Sequence, residues 1–308
     1  MNIKNKKILV TGGAGFIGSN TVNALVEKGA NVIVVDNLST GKKENINNKA
    51  KFYNTNIADA NIEEIIEKEK PEIVYLFAFY VLVPKSVEHP LLDMDCVVGS
   101  LRILNKLKKM KIDKVIFASS GFLYGNTDRL PASESEPIDF ITPYVVSKFT
   151  VENYIRYFNK ACGIPYVILR YAAVYGPGQI TGAMADYIRK LSNNQQADIW
   201  GNGEKTRDYV FVKDVVKANL MALDVDGNHP NPVFNIGTSK ETTLNQLYRK
   251  IAEHLNKQAK PIYHPERSGE QIRYCLNNAK IKKELGWGID YDLDKGLNIT
   301  LKSWGLIE

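Results

Sequence analysis

Short, unbroken apolar runs alternate with amphipathic stretches through the first half of the chain. Lys7-Ile8-Leu9-Val10 reads as a buried strand. Phe16 to Lys28 carries helical spacing and stops at Gly29, a residue suited to a helix end. Asn31 to Val35 reads as the next strand, Ile62 to Lys70 as a helix that Pro71 ends, and Ile73 to Phe77 as a strand. Leu91 to Met110 reads as one helix, Lys114 to Ala118 as a strand, Tyr144 to Ala161 as a helix and Tyr166 to Leu169 as a strand. Continuous apolar strands between helices imply a parallel sheet covered on both faces. Right-handed crossovers then make the fold α/β and doubly wound.

The texture changes after about residue 175, at Tyr175-Gly176-Pro177-Gly178-Gln179, where glycine, proline and polar residues rise. We expect residues 1–175, with segments near 208–238 returning to them, to form a dinucleotide-binding domain, and residues 176–308 to form mainly a smaller C-terminal substrate-binding lobe. The 308 residues suffice for a sizeable core, and 44% hydrophobic with 24% charged residues is ordinary for a globular chain, which argues against a disordered or fibrous one. The net charge of +6 comes from spread-out lysines that read as solvated faces, so no nucleic-acid partner is expected. Cys96, Cys162 and Cys275 lie far apart and odd in number, which favours free thiols and a cytoplasmic setting. The four histidines have no ligand spacing, no apolar run is long enough for a membrane span, and no signal-peptide core follows the basic N-terminus, so neither a metal nor a membrane partner is expected.

Candidate chemistry begins at Gly12-Gly13-Ala14-Gly15-Phe16-Ile17-Gly18, between the first strand and the first helix. Gly12, Gly15 and Gly18 permit a tight turn and close approach of backbone N–H groups to a pyrophosphate, which the positive end of the helix also attracts. Asp36 ends the second strand 18 residues after Gly18. A carboxylate there can accept from a ribose diol and would repel a 2′-phosphate, so NAD is expected rather than NADP.

Tyr144-Val145-Val146-Ser147-Lys148 opens a helix, and a spacing of four puts Tyr144 and Lys148 on one face. A tyrosine is a poor base at neutral pH, and we expect the lysine ammonium to stabilise the phenolate and lower its pKa. Tyr144 could then take a proton from a sugar hydroxyl as hydride leaves the same carbon. Ser120 lies at the carboxyl edge of its strand, where such sheets bind ligands, and its hydroxyl could bridge the substrate and Tyr144.

Val10 to Ser19 and Asp36-Asn37-Leu38-Ser39-Thr40-Gly41 resemble the NAD loop of the extended short-chain dehydrogenases, in the NAD-dependent epimerase/dehydratase family. Within it the chain is similar to the nucleotide-sugar 4-epimerases, the group of UDP-glucose 4-epimerase. Ala118 to Gly125, Thr142 to Lys148, Leu169-Arg170-Tyr171, Val174 to Pro177, Gly201 to Tyr209, Asp214-Val215, Phe234 to Gly237 and Arg267 to Glu270 complete the match in order. The resemblance implies a Rossmann-like fold and tightly held NAD recycled in each turnover. It implies a UDP-hexose inverted at C4 through a 4-keto sugar, with Tyr144 as base, Lys148 beside it and Ser120 as relay. It places Gly12, Gly15, Phe16, Ile17, Asp36, Asn37, Ser39, Thr40, Gly41, Asn56, Ile57, Phe77, Ala78, Tyr144, Lys148 and Tyr171 at the cofactor. It places Ser120, Tyr144, Arg207, Arg267 and Tyr274 at the substrate, the two arginines gripping its diphosphate. It also implies a homodimer pairing the helices of Leu91 to Met110 and Tyr144 to Ala161.

Departures cluster around the sugar. Leu76 and Phe79 replace the ends of the family's His-Leu-Ala-Ala, Cys96 and Ala173 each stand for an Asn, Lys205 for a Gln, and Asn56 for an Asp. Phe79 adds bulk near the nicotinamide edge. Lys205 reads either as a replacement charge or as a solvated lysine, and Cys96 as a packed thiol. Tyr274 should crowd a 2-acetamido group, which favours unacetylated hexoses. Dehydratases and decarboxylases of this kind carry an acid just after the catalytic Ser/Thr, whereas Ser120 precedes Gly121-Phe122-Leu123. A ketoreductase with exchangeable cofactor would share the same Ser, Tyr and Lys, and a non-catalytic NAD sensor remains the reading without chemistry.

Overall fold

The computed structural model describes residues 1–80, 83–258, 260–266 and 271–308. In chain order the elements are β1 (Lys7–Thr11), α1 (Phe16–Glu27), β2 (Asn31–Asp36), β3 (Lys51–Asn54), α2 (Asn61–Glu69), β4 (Ile73–Leu76), α3 (Val83–Glu88), α4 (Met94–Leu107), β5 (Lys114–Ser120), α5 (Pro143–Cys162) and β6 (Tyr166–Tyr171). There follow β7 (Ala173–Tyr175), α6 (Gly182–Ser192), β8 (Asp198–Trp200), β9 (Thr206–Arg207), β10 (Tyr209–Phe211), α7 (Val212–Met221), β11 (Val233–Ile236), β12 (Thr242–Thr243), α8 (Leu244–His254), β13 (Ile262–His264), α9 (Ala279–Leu285) and α10 (Leu293–Ser303).

Two compact units result, one of 1–123, 140–170 and 216–234, the other of 124–139, 171–215 and 235–308. The first is organised on a seven-stranded sheet in the order β11-β6-β5-β4-β1-β2-β3. The pairs β1–β2, β1–β4, β2–β3 and β4–β5 are parallel, with Leu9 opposite both Ile33 and Val74. The α/β, doubly wound, Rossmann-like reading holds. One side of its core joins Leu9, Val35, Val74 and Phe117 of the strands to Ile62, Ile66, Ile103, Leu104, Val151 and Ile155 of the helices. The strands are buried on both faces, which is why they read as unbroken apolar runs.

The second unit has its own core, in which Tyr187, Ile188 and Leu191 of α6, Leu247 and Ile251 of α8 and Leu297 and Leu301 of α10 surround Tyr175 and Phe211. Its sheets have two strands each: β7–β10, β9–β12 and β8–β13.

Two features depart from the sequence reading. The stretch from Leu91 begins as a 3-10 turn, Pro90–Asp93, before α4 takes over at Met94, because Pro90 fixes the first turn and lacks an N–H. Strand β3 has no counterpart in that reading: Lys51-Phe52-Tyr53-Asn54 is an edge strand with no fully buried residue, and its pattern is too short to stand out. Among the described residues, no helix is long and apolar enough to cross a membrane.

Candidate active site

The cradle is built by close contact. Gly12 has φ +69°, and a Cβ there would lie 2.7 Å from the Ala78 backbone nitrogen, so no side chain fits. At Gly18 a Cβ would stand 2.1 Å from the Gly12 carbonyl oxygen, so α1 reaches the turn only because this position is bare. Gly15 differs, since a Cβ there would meet only that carbonyl oxygen, at 3.3 Å. Gly15 caps α1 without a side-chain hydrogen bond, and no acid sits in the first turn. The N–H groups at Phe16 and Ile17 therefore open a positive helix end beside free space.

Asp36 is buried at the end of β2. Its Oδ2 accepts from Ala14 N at 3.0 Å and its Oδ1 from Leu38 N at 2.8 Å. Each oxygen keeps a further lone pair, the capacity a ribose diol requires. Asn37, Ser39 and Thr40 are exposed, and Gly41 packs on Ala14. Thr11 Oγ1 accepts from Phe77 N at 3.1 Å and Ala78 N at 3.2 Å, fixing the loop after β4 beside the cradle. Ile57 is buried against Gly99. The Asn56 side chain is already engaged: Oδ1 accepts from Ala58 N at 3.1 Å and Nδ2 donates to Asp95 Oδ2 at 3.1 Å. One N–H and one lone pair remain for an adenine edge. This donor set fits NAD: a bare positive helix end for the pyrophosphate and an acidic acceptor for the ribose.

The same unit carries Ser120, Tyr144 and Lys148. Thr142 caps α5, accepting from Val145 N at 3.3 Å, and Pro143 occupies the first turn, so the helix starts just before Tyr144. Ser120 ends β5, where its Oγ accepts from Phe122 N at 3.1 Å. That leaves its O–H to donate, and Ser120 acts on Tyr144 in the direction that favours the phenolate. Lys148 is 3% exposed, and its Nζ donates to Ala118 O at 2.6 Å. Its ammonium lies 3.8 Å from the ring centre of Phe79 and 5.8 Å from that of Tyr144.

The electrostatics correct one expectation. Burial pushes the Tyr144 phenol up to about 12, against a lowering contribution from Ser120 and further raising contributions from Asp93 and Cys96. Burial also lowers Lys148 to about 7, against the attraction of Cys96, Glu152 and Asp93. The sequence leads one to expect the lysine to pull the tyrosine down. In the folded chain burial outweighs any such pull, and the phenol stays protonated at neutral pH.

The second unit holds Tyr171, Arg207, Tyr274, Ala173 and Lys205. Tyr274 is buried, and its hydroxyl donates to Tyr171 O at 2.8 Å. Arg207 Nη1 donates to Thr206 O at 2.7 Å and Gln271 O at 3.0 Å. Lys205 is 4% exposed, so its reading as a solvated lysine fails. Arg267 lies outside the described residues. Cys96 accepts from Tyr80 N at 3.3 Å, and burial pushes its thiol up to about 11, so it packs as a neutral thiol. Leu76 is buried in β4. Sequence reasoning missed Glu152, one helical turn after Lys148, a fully buried carboxylate that accepts from Ser119, Arg156 and Arg170. Its spacing from Lys148 was the available signal. Among the described residues, no group of His, Cys, Asp and Glu is placed to hold a metal ion.

Residues 8–237 match the model of the NAD dependent epimerase/dehydratase family. The chain belongs to that family. It is an NAD-dependent enzyme of the epimerase type. A Methanocaldococcus jannaschii protein provisionally named UDP-glucose 4-epimerase is 44% identical over 296 residues, covering 94% of this chain and 95% of that one. Among solved structures, the Thermotoga maritima UDP-glucose 4-epimerase with UDP-glucose superposes with a TM-score of 0.93 at 40% identity, covering 97% of this chain and 98% of that one. The Thermus thermophilus UDP-glucose 4-epimerase in complex with NAD gives 0.91 at 30% identity, covering 97% of this chain and 99% of that one. The family member described here thus keeps the cradle, the acidic strand end and the Ser, Tyr and Lys constellation on one unit.

Proposed function

We propose that this enzyme inverts C4 of a UDP-hexose through a transient 4-keto sugar, with NAD retained through the cycle. The observation that carries the reading is a buried Tyr144 one helical turn from a buried Lys148, with Ser120 ending β5, in the unit that holds the cradle. NAD, when bound, accepts and returns the hydride and brings a positive ring to the site. Tyr144 exchanges the 4-hydroxyl proton. Burial keeps it protonated at neutral pH, so it gives up its proton only where positive charge is close. Ser120 accepts from Phe122 N through one lone pair, which leaves its O–H and a second lone pair for a relay between sugar and tyrosine. Lys148 is fixed by Ala118 O, which keeps its charge on the sheet side of the pair.

Asp36 is assigned the adenosine ribose, the α1 N-terminus with Gly15, Phe16 and Ile17 the pyrophosphate, and Asn56 with Ile57 the adenine. Arg207, with Arg267, is assigned the substrate diphosphate, and Tyr274 the wall of the sugar pocket. The Tyr274 hydroxyl is held by Tyr171 O, so that wall does not swing aside, which supports a sugar without a 2-acetamido group. The turn Gly121–Tyr124 after Ser120 carries no acid, which speaks against dehydration or decarboxylation.

The reading includes a homodimer through α4 and α5, which leave Met94, Val98, Val146, Tyr154 and Tyr157 exposed as large apolar side chains. It also includes a cytoplasmic location, which the three free cysteines support.

The test is incubation of the purified protein with UDP-galactose and UDP-glucose, without added NAD, followed by separation of the sugar nucleotides. Interconversion is expected. Loss of water or carbon dioxide, dependence on added cofactor, or no turnover of any nucleotide sugar would overturn the reading.

A further inference from the structure

We propose that Phe79 is a positioning residue for the catalytic pair: its ring face holds the Lys148 ammonium, and Cys96 holds the backbone that carries the ring. The proposal deepens the functional reading above and rests on it for the word catalytic.

An ammonium has three N–H donors. For Lys148 one goes to Ala118 O, and the head group faces the rings of Phe79 at 3.8 Å and Phe117 at 4.9 Å from their centres, with Cys96 and Asp93 near α4 and Glu152 on its own helix as the titratable groups that attract it. Burial outweighs the attraction of those groups, and the face of an aromatic ring adds negative potential at contact distance. The Phe79 ring also meets Tyr144 edge to face, with centres 5.9 Å apart and planes at 90°, and Phe117 at 6.4 Å. One side chain therefore touches both members of the pair and the strand beneath them.

The backbone around residue 79 is anchored from two sides. Phe77 N and Ala78 N donate to Thr11 Oγ1 on β1, and Tyr80 N donates to Cys96 Sγ on α4. The thiol works as a neutral acceptor, which its burial favours. Cys96 on α4 thus holds the residue that follows Phe79. The ring favours the charged lysine, opposing burial, and confines the ammonium to the side where Ala118 O waits.

The experiment replaces Phe79 with mono-, di- and pentafluorinated phenylalanine, which keep the shape and weaken the ring's negative face in steps. In holoenzyme carrying lysine isotope-labelled at Cε, the Lys148 resonance is assigned by its loss in Lys148→Met and followed through a pH titration. In the wild type we expect the ring to shift it upfield. Along the fluorinated series its midpoint should fall, by about half a pH unit by the last member. A midpoint that does not move along the series overturns the role of Phe79. Cys96→Ser, which keeps an acceptor for Tyr80 N, should retain the upfield position and Cys96→Ala should lose part of it; equal spectra for the two remove Cys96 from the proposal. The titration needs no sugar. A falling midpoint in a protein that turns over no nucleotide sugar would sustain the Phe79–Lys148 contact and overturn only the functional reading.

Discussion

Ser119 donates its hydroxyl to Glu152 Oε1 at 2.6 Å, in a core that excludes solvent from both residues. Glu152 also takes Arg170 through Nε at 2.9 Å and Nη2 at 2.7 Å, and Arg156 Nη2 at 2.9 Å. One carboxylate thereby ties the end of β5, the middle of α5 and the end of β6. Burial alone would raise its pKa, but hydrogen bonds and charge from Arg170, with Arg156 and Ser119, hold it below the usual carboxylate range. The stabilisation is complete above the unfolded value near 4.3 and is lost as pH falls below it. Glu152→Ala should lower unfolding stability by about 3–5 kcal/mol at neutral pH, because the buried Arg170 loses a two-point carboxylate contact and Ser119 its acceptor. Urea unfolding checks this, and a loss below about 1 kcal/mol would show that water or a rearranged side chain replaces the carboxylate.

Tyr144→Phe should reduce turnover by about 10²–10⁴ or more, the usual range for a lost general base, while NAD content stays that of the wild type. The phosphate cradle and the ribose acceptor are formed by Gly12, Gly15 and Asp36, and the substitution removes only the hydroxyl of Tyr144. Cofactor released on denaturation is the second readout, and near-normal turnover would remove Tyr144 from the proton path.

Lys148→Met should abolish turnover yet stabilise the fold at low pH. The folded lysine titrates near 7 and the unfolded one near 10.4. Below about pH 7 both states carry the proton, and the folded state bears the full cost of burying it. As pH rises toward about 10.4 the unfolded lysine loses its proton and that cost fades. A tenfold difference in proton affinity between the two states is worth roughly 1.4 kcal/mol, so the variant should exceed the wild type by a few kcal/mol at about pH 6. The two should converge near pH 10, which urea unfolding across the pH range would show. A variant less stable at pH 6 would mean that the contacts to Ala118 and Phe79 outweigh burial.

Asp36→Ala should weaken NAD by about 10–100-fold, the loss of charged hydrogen bonds, and narrow the preference over NADP. It also releases the Ala14 and Leu38 N–H groups, so part of the loss comes from the loop. Calorimetric titration of both cofactors measures it. An unchanged NAD to NADP ratio would remove Asp36 from cofactor choice.

Tyr157→Glu on the exposed face of α5 should shift a dimer to monomer in sedimentation velocity without changing the circular dichroism of the fold. Tyr157 is 60% exposed, so the charge costs the single chain little and would be buried only in the assembly. A sedimentation coefficient identical to that of the wild type would exclude this face as the contact.

Much of this protein is written in local pattern. The unbroken apolar strands announce a sheet covered on both faces. The glycines at 12, 15 and 18 announce a tight turn, which at 12 and 18 has no room for a side chain. A spacing of four puts Tyr144 and Lys148 on one side of a helix, whatever else surrounds it. These features follow from backbone sterics and helical period, which neighbours in sequence decide. What surrounds the pair was decided by tertiary structure. Phe79 arrives over the lysine from the loop after β4, Cys96 pins that loop from α4, and Lys205 is buried despite its charge. The direction of the Tyr144 shift follows from the same cause, because a proton's affinity depends on how much water is excluded and which charges are brought near. Those come from segments far apart in the chain, and no spacing rule reports them.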